Sequence, residues 1–96
     1  MLTKDDVLKR REEIMAVARR YGASNIRVFG SVARGDATEA SDLDLIVRLE
    51  PGRSLFDLGG LLMDLRDLLG IKVDVISENG IRDRWRDHLM AESVPL

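Results

Sequence analysis

Apolar residues recur along this chain first at helical spacing and then at strand spacing, and the switches between the two periods outline the fold. Val7, Ile14, Val17, Ala18 and Tyr21 share one helical face, opened by Thr3 and Asp6 as a capping box and closed at Gly22. Residues 25–29 are a short β-branched and aromatic run that leads straight into Gly30-Ser31, which predicts a strand, a turn and a short helix. From 41 to 49 the period is two: Leu43, Leu45, Val47 and Leu49 face one way, and Asp42, Asp44, Ile46 and Arg48 face the other. Pro51-Gly52 breaks this strand. Ser54 and Asp57 then cap a helix whose positions 55, 58, 62, 65 and 69 make a core-facing stripe, with a stop at Gly70.

Residues 71–76 form a third strand, with Val73 and Val75 on one face and Lys72, Asp74 and Ile76 on the other. After a turn at 78–80, Ile81, Trp85, His88 and Leu89 follow helical spacing toward Pro95. The alternation of helices and strands predicts a single α/β domain over residues 1–96. Gly59-Gly60 interrupts the central helix, where each glycine costs up to about 1 kcal/mol relative to alanine. Close packing of that helix on the sheet is the expected compensation, and room for a bound base is the alternative. His88, the only histidine, falls on the apolar side of the last helix and is expected to pack, with Trp85 in the core or at an interface.

Composition narrows the functional classes. There is no cysteine, which removes disulfides, thiolate metal sites and cysteine nucleophiles and suits a reducing cytoplasm, the expected location. Fifteen basic and seventeen acidic residues give a net charge of −2, so direct nucleic-acid binding is not expected. The arginine groups at 10–11, 19–20 and 82, 84 and 86 read as solvated helix faces. The N-terminus has no apolar leader pattern, and Asp57, Asp64, Arg66 and Asp67 interrupt the longest apolar stretch, so neither secretion nor membrane spanning is expected.

The chemistry concentrates in three aspartates. Asp42 and Asp44, one residue apart on a strand, project from the same face and can share a cation. Asp74 has the same phase on another strand and joins them if the two strands are neighbours. Carboxylates about 5 Å apart repel by roughly 3 kcal/mol per pair at an effective dielectric of about 20, and a divalent cation removes that conflict. Oxygen-only ligands favour Mg²⁺, with Mn²⁺ acceptable, over structural zinc. Gly30-Ser31, where a strand ends and a helix begins, offers backbone N–H groups and a hydroxyl to a phosphate. Arg34 can reach the same phosphate or tie the loop to Asp36 or Glu39.

The segment from Gly30-Ser31 through "VARG" to "SDLDLIV", with ten residues between Ser31 and Asp42, resembles the signature of DNA polymerase β-like nucleotidyltransferases. With the later "KVDVI" and the closing "RDHLMAESVPL", the chain is similar along its whole length to the minimal nucleotidyltransferases, antitoxin partners of HEPN-domain toxins. The resemblance implies an α+β fold, a small mixed sheet flanked by helices. It also implies that Gly30 and Ser31 hold the triphosphate of ATP, that Asp42 and Asp44 bind metal, and that Asp74 completes the catalytic site. The implied activity is Mg²⁺-dependent transfer of AMP to a hydroxyl, with tyrosine expected, of a cognate HEPN-type ribonuclease in a hetero-oligomer. Steric inhibition without catalysis and nucleotidylation of a small molecule such as an aminoglycoside are the alternatives.

Overall fold

The computed structural model describes residues 2–96. Its elements are α1 (Lys4–Lys9), α2 (Arg11–Arg20), β1 (Ala23–Phe29), α3 (Gly30–Arg34), β2 (Leu43–Leu49), α4 (Leu55–Leu69), β3 (Val73–Ser77), a 3₁₀ turn (Glu78–Gly80), α5 (Asp83–Glu92) and β4 (Val94–Pro95). The four strands lie in the order β3-β2-β1-β4. β1 is antiparallel to both β2 and β4, whereas β2 and β3 are parallel. A parallel pair needs a long crossover, which α4 supplies. The expected mixed sheet flanked by helices is therefore present.

The core lies on one side of the sheet. Leu43, Leu45 and Val47 of β2 are fully buried with Val28 and Val73, and Ile14, Val17 and Ala18 of α2 and Leu61 and Leu65 of α4 pack in the same cluster. Ile46 is also fully buried but lies outside that cluster, as its opposite strand phase requires. The sheet thus separates an apolar layer from a face that carries Asp44 and Asp74.

Several elements differ from the sequence reading. The first helix is two helices, broken at Arg10, whose N–H still bonds the carbonyls of Leu8 and Val7. Val7 and Ile14 remain fully buried on either side of the break, so the predicted face survives. In α4 the buried stripe centres on Leu61 and Leu65. Leu55 is 82% exposed, and Leu58, Leu62 and Leu69 are only half-buried. Phe56, in the same first turn of α4, is 91% exposed, so this end of the helix adds little to the core.

Gly60 is needed by a helix and not by the sheet: a Cβ there would collide with the ring of Tyr21, whose hydroxyl donates to Asp64 Oδ2 at 2.5 Å. A Cβ on Gly59 would meet nothing. At the other end of the chain, α5 buries no residue fully. His88 is exposed and sits 3.5 Å from Glu92, so it does not pack, and Trp85 is 52% exposed and outside the core. The closing residues add β4, an edge strand that tolerates Pro95 because an edge residue need not donate to the ladder.

Polar ties hold α5 in place. Glu78 is 3% exposed, accepts from Asn25 Nδ2 at 2.7 Å and Arg48 Nε at 3.1 Å, and lies 3.9 Å from Arg86 of α5. Asn25 reaches it from a bulge in β1 at φ +49°, a left-handed conformation that asparagine accepts more readily than most residues. Beyond the helix, Arg27 Nε donates to Ser93 Oγ at 2.5 Å.

Leu61→Ala should lower unfolding free energy by about 2–5 kcal/mol, as other large-to-small core changes do. Leu55→Ala should stay within about 0.5 kcal/mol because little is buried there. Urea denaturation of both variants measures the difference, and equal losses would refute this placement of the stripe.

Candidate functional site

β2 carries the central carboxylate, and its two neighbours determine what faces it. Asp44 is the register partner of Asp74 across the parallel β2–β3 ladder and of Phe29 across the antiparallel β1–β2 ladder. The adjacency that the third carboxylate required is therefore present. Asp42 stands one residue before β2, where Leu43 N–H donates to the Lys72 carbonyl at 3.0 Å and extends the pairing towards it. The approach to Asp42 is fixed by a turn in which Thr38 N–H donates to Ser41 Oγ at 2.9 Å and Ser41 N–H to the Thr38 carbonyl at 3.0 Å.

On the other side, Phe29 hands the chain to α3 through Gly30. Gly30 has φ +72°, and a Cβ built there would stand 2.5 Å from Asp44 Oδ2. Only glycine meets both demands, the left-handed backbone and the close approach to a carboxylate. The Gly30-Ser31 corner and the aspartates are thus one site. Gly35, at φ +84°, ends α3 with its N–H bonded to the Ser31 carbonyl at 3.0 Å. Arg34, at the last position of α3, donates from Nε to Asp36 Oδ2 at 3.3 Å and from Nη1 to Glu92 Oε1 at 3.4 Å. The loop tie to Asp36 is as expected, but the second partner is Glu92 of α5 and not Glu39.

The three carboxylates differ in their surroundings. Lys72 Nζ lies 3.6 Å from Asp42, and Arg66 Nη2 lies 3.8 Å from Asp74. Arg66 also donates from Nε to the Val73 carbonyl at 3.1 Å, so α4 braces the start of β3. These two cations were not singled out in the sequence, where each reads as an ordinary exposed charge. Among the described residues no cation pairs directly with Asp44. Its carboxyl is held above the ordinary carboxylate range by burial first, then by the charges of Asp74 and Asp42, with Arg34 acting weakly in the other direction.

An oxygen-only set with one uncompensated, half-buried carboxylate is suited to a hard divalent cation. No three carboxylate or imidazole groups among the described residues converge into a complete cage. Lys72 and Arg66 hold the outer aspartates meanwhile.

The chain matches the family model for a nucleotidyltransferase domain over residues 10–94. It is 40% identical over 75 residues to the protein adenylyltransferase MntA of Thermococcus cleftensis, covering 78% of this chain and 76% of that protein. A solved structure described as a candidate minimal nucleotidyltransferase superposes with a TM-score of 0.88 at 45% identity, over 99% of this chain and 97% of the other. A toxin–antitoxin structure with AMP-PNP shares the fold at a TM-score of 0.75 and 19% identity, over 88% of this chain and 69% of that one.

The raised Asp44 value has a definite sign. The folded state binds this proton more tightly than the unfolded chain, so Asp44 favours folding at low pH and loses that contribution as pH rises through its folded value. In the presence of a chelator, Asp44→Asn should raise the melting temperature by a few degrees at pH 7. That gain should shrink as pH falls toward the ordinary carboxylate value of 3.8. A gain that is independent of pH would contradict the electrostatic origin.

Proposed function

This chain belongs to the minimal nucleotidyltransferase family, and we propose that it transfers AMP from ATP to a hydroxyl of a partner protein, a HEPN-type ribonuclease toxin that it thereby neutralises. The observation that carries this reading is the β2–β3 register. It sets Asp44 beside Asp74, with Asp42 and the Gly30 corner next to them. The relative at 40% identity that acts as a protein adenylyltransferase supports a protein as acceptor. The related fold solved as a toxin–antitoxin with AMP-PNP supports a toxin partner and ATP as donor.

In this reading Gly30 lets the triphosphate approach the backbone, and Ser31 adds a hydroxyl donor. Asp42 and Asp44 would hold a divalent cation, Mg²⁺ in the first instance, with Asp74 completing the set. When bound, that cation supplies charge neutralisation on the triphosphate and polarisation of the acceptor hydroxyl. Arg34 exchanges its exposed carboxylate partners for phosphate oxygens, at small cost because such pairs are worth little in water. The acceptor oxygen bonds to the α-phosphorus, the bond from that phosphorus to the bridging oxygen breaks, and pyrophosphate leaves. In this reading Asp74 takes the hydroxyl proton. Positioning and electrostatics carry the rate, and no covalent enzyme intermediate is needed.

Calorimetry should show ATP binding that requires Mg²⁺ and is lost in the combined Asp42→Ala, Asp44→Ala variant. Asp74→Asn should still bind ATP and the partner, with AMP transfer reduced by orders of magnitude. Intact masses of both chains after incubation with ATP and Mg²⁺ decide the matter, using the protein encoded beside this one as acceptor. A partner neutralised without gaining the mass of a nucleotide would favour steric inhibition and defeat the transferase reading for that partner.

A further inference from the structure

Lys72 and Arg66 are the two cations that stand against the outer aspartates of the candidate site, and backbone contacts place both. One step beyond the Leu43–Val73 register pair, Lys72 continues the β2–β3 ladder opposite Asp42. Its carbonyl accepts from Leu43 N–H at 3.0 Å, and its Nζ lies 3.6 Å from Asp42 Oδ2. Strand alternation puts Lys72 on the same face as Asp74. Arg66 comes from the last turn of α4, where its carbonyl accepts from Gly70 N–H at 2.8 Å. Its Nε is fixed on the Val73 carbonyl at 3.1 Å, with Nη2 3.8 Å from Asp74 Oδ1.

Among the described residues neither cation has a second acidic partner. Ion pairs as exposed as these contribute little to folding. A divalent ion, however, feels each cation with twice the force that a carboxylate does. Lys72 and Arg66 compensate two of the three aspartates, so a free dication arriving there finds one uncompensated negative charge and two like charges beside its outer ligands. A dication that arrives on a triphosphate brings net negative charge to the same place, and the two cations then attract it.

We propose that Lys72 and Arg66 are resident counter-ions of the site. They hold Asp42 and Asp74 in the absence of nucleotide, disfavour binding of a free divalent ion, and so make the metal enter together with the triphosphate. This rests on the transferase reading above, which supplies the roles of the aspartates and of ATP.

The test uses Lys72→Met, Arg66→Met and the double variant, with the charge-conserving Lys72→Arg and Arg66→Lys as controls. Melting temperatures check the fold, and the 62% exposure of the Lys72 side chain means that Lys72→Met should keep it. Free Mn²⁺ is titrated without nucleotide and counted by electron paramagnetic resonance. Its dissociation constant should fall severalfold in each Met variant and roughly tenfold or more in the double variant, with the controls matching wild type. Calorimetry with Mn²⁺-loaded ATP should show affinity unchanged or lowered in the same variants. A general loosening of the site would move both affinities in one direction.

Mn²⁺ binding that is unchanged or weaker in Lys72→Met would overturn the counter-ion role, and the transferase reading survives if wild type still binds metal–ATP and transfers AMP. A metal–ATP affinity that rises as much as the free-ion affinity would also overturn it. If free Mn²⁺ binds more tightly, metal–ATP does not, and the partner gains no AMP, the counter-ions stand and the transferase reading falls. Failure of wild type to bind metal–ATP at all defeats both.

Discussion

The parallel pairing of β2 with β3 places Asp44 opposite Asp74, two like charges held side by side by backbone hydrogen bonds. Neither side chain would choose that neighbour. The backbone ladder and the apolar layer beneath it, with Leu43, Leu45, Val47 and Val73 fully buried, hold the strands in register against the repulsion. A one-residue slip would relieve the charge conflict only by turning those apolar side chains out of the core. The raised proton affinity of Asp44 comes first from its burial and then from the neighbouring charges of Asp74 and Asp42. Most of the candidate site can be read as its consequences: the cations beside the outer aspartates, the glycine that keeps a Cβ away from Asp44 Oδ2, and the fitness of the carboxylates for a shared cation.

Much of this arrangement was legible in the sequence because it depends on period and on single residues. The alternation from Leu43 to Leu49 placed Asp42 and Asp44 on one face, and the Gly-Ser corner marked a place where the backbone comes close to another group, which the structure shows to be Asp44. What could not be read was the order of the strands. Asp74 had the right phase, but phase says nothing about which strand lies next door. The same limit explains the central helix. Leu61 belongs to the buried face because of how α4 crosses the sheet, whereas periodicity alone accepted position 62 equally well. Gly60 likewise answers to Tyr21, a residue 39 positions away in sequence.

The end of the chain was the least legible. Helical spacing of Ile81, Trp85, His88 and Leu89 suggested a packed helix, yet α5 buries none of its residues fully and is tied down by polar contacts. Glu78 gave no signal at all. A lone glutamate in a turn reads as solvated, and only the convergence of Asn25, Arg48 and Arg86 makes its burial tolerable. Val94-Pro95 was too short to register as a strand, although two residues suffice to pair with β1.

The molecule therefore has two halves cemented by different forces, and the chemistry of the solvent acts on them in opposite directions. Strongly hydrated salts tighten the apolar layer under β2, since they favour the removal of oily surface from water. The same ions screen the exposed Arg34–Glu92 tie, although the buried Glu78 contacts feel this much less. At high ionic strength the core becomes firmer while the Arg34–Glu92 tie weakens, and the Arg27–Ser93 hydrogen bond keeps the end of α5 in place. The tie between α5 and the Gly30–Arg34 helix thus responds to the ionic medium in a way that the apolar layer does not.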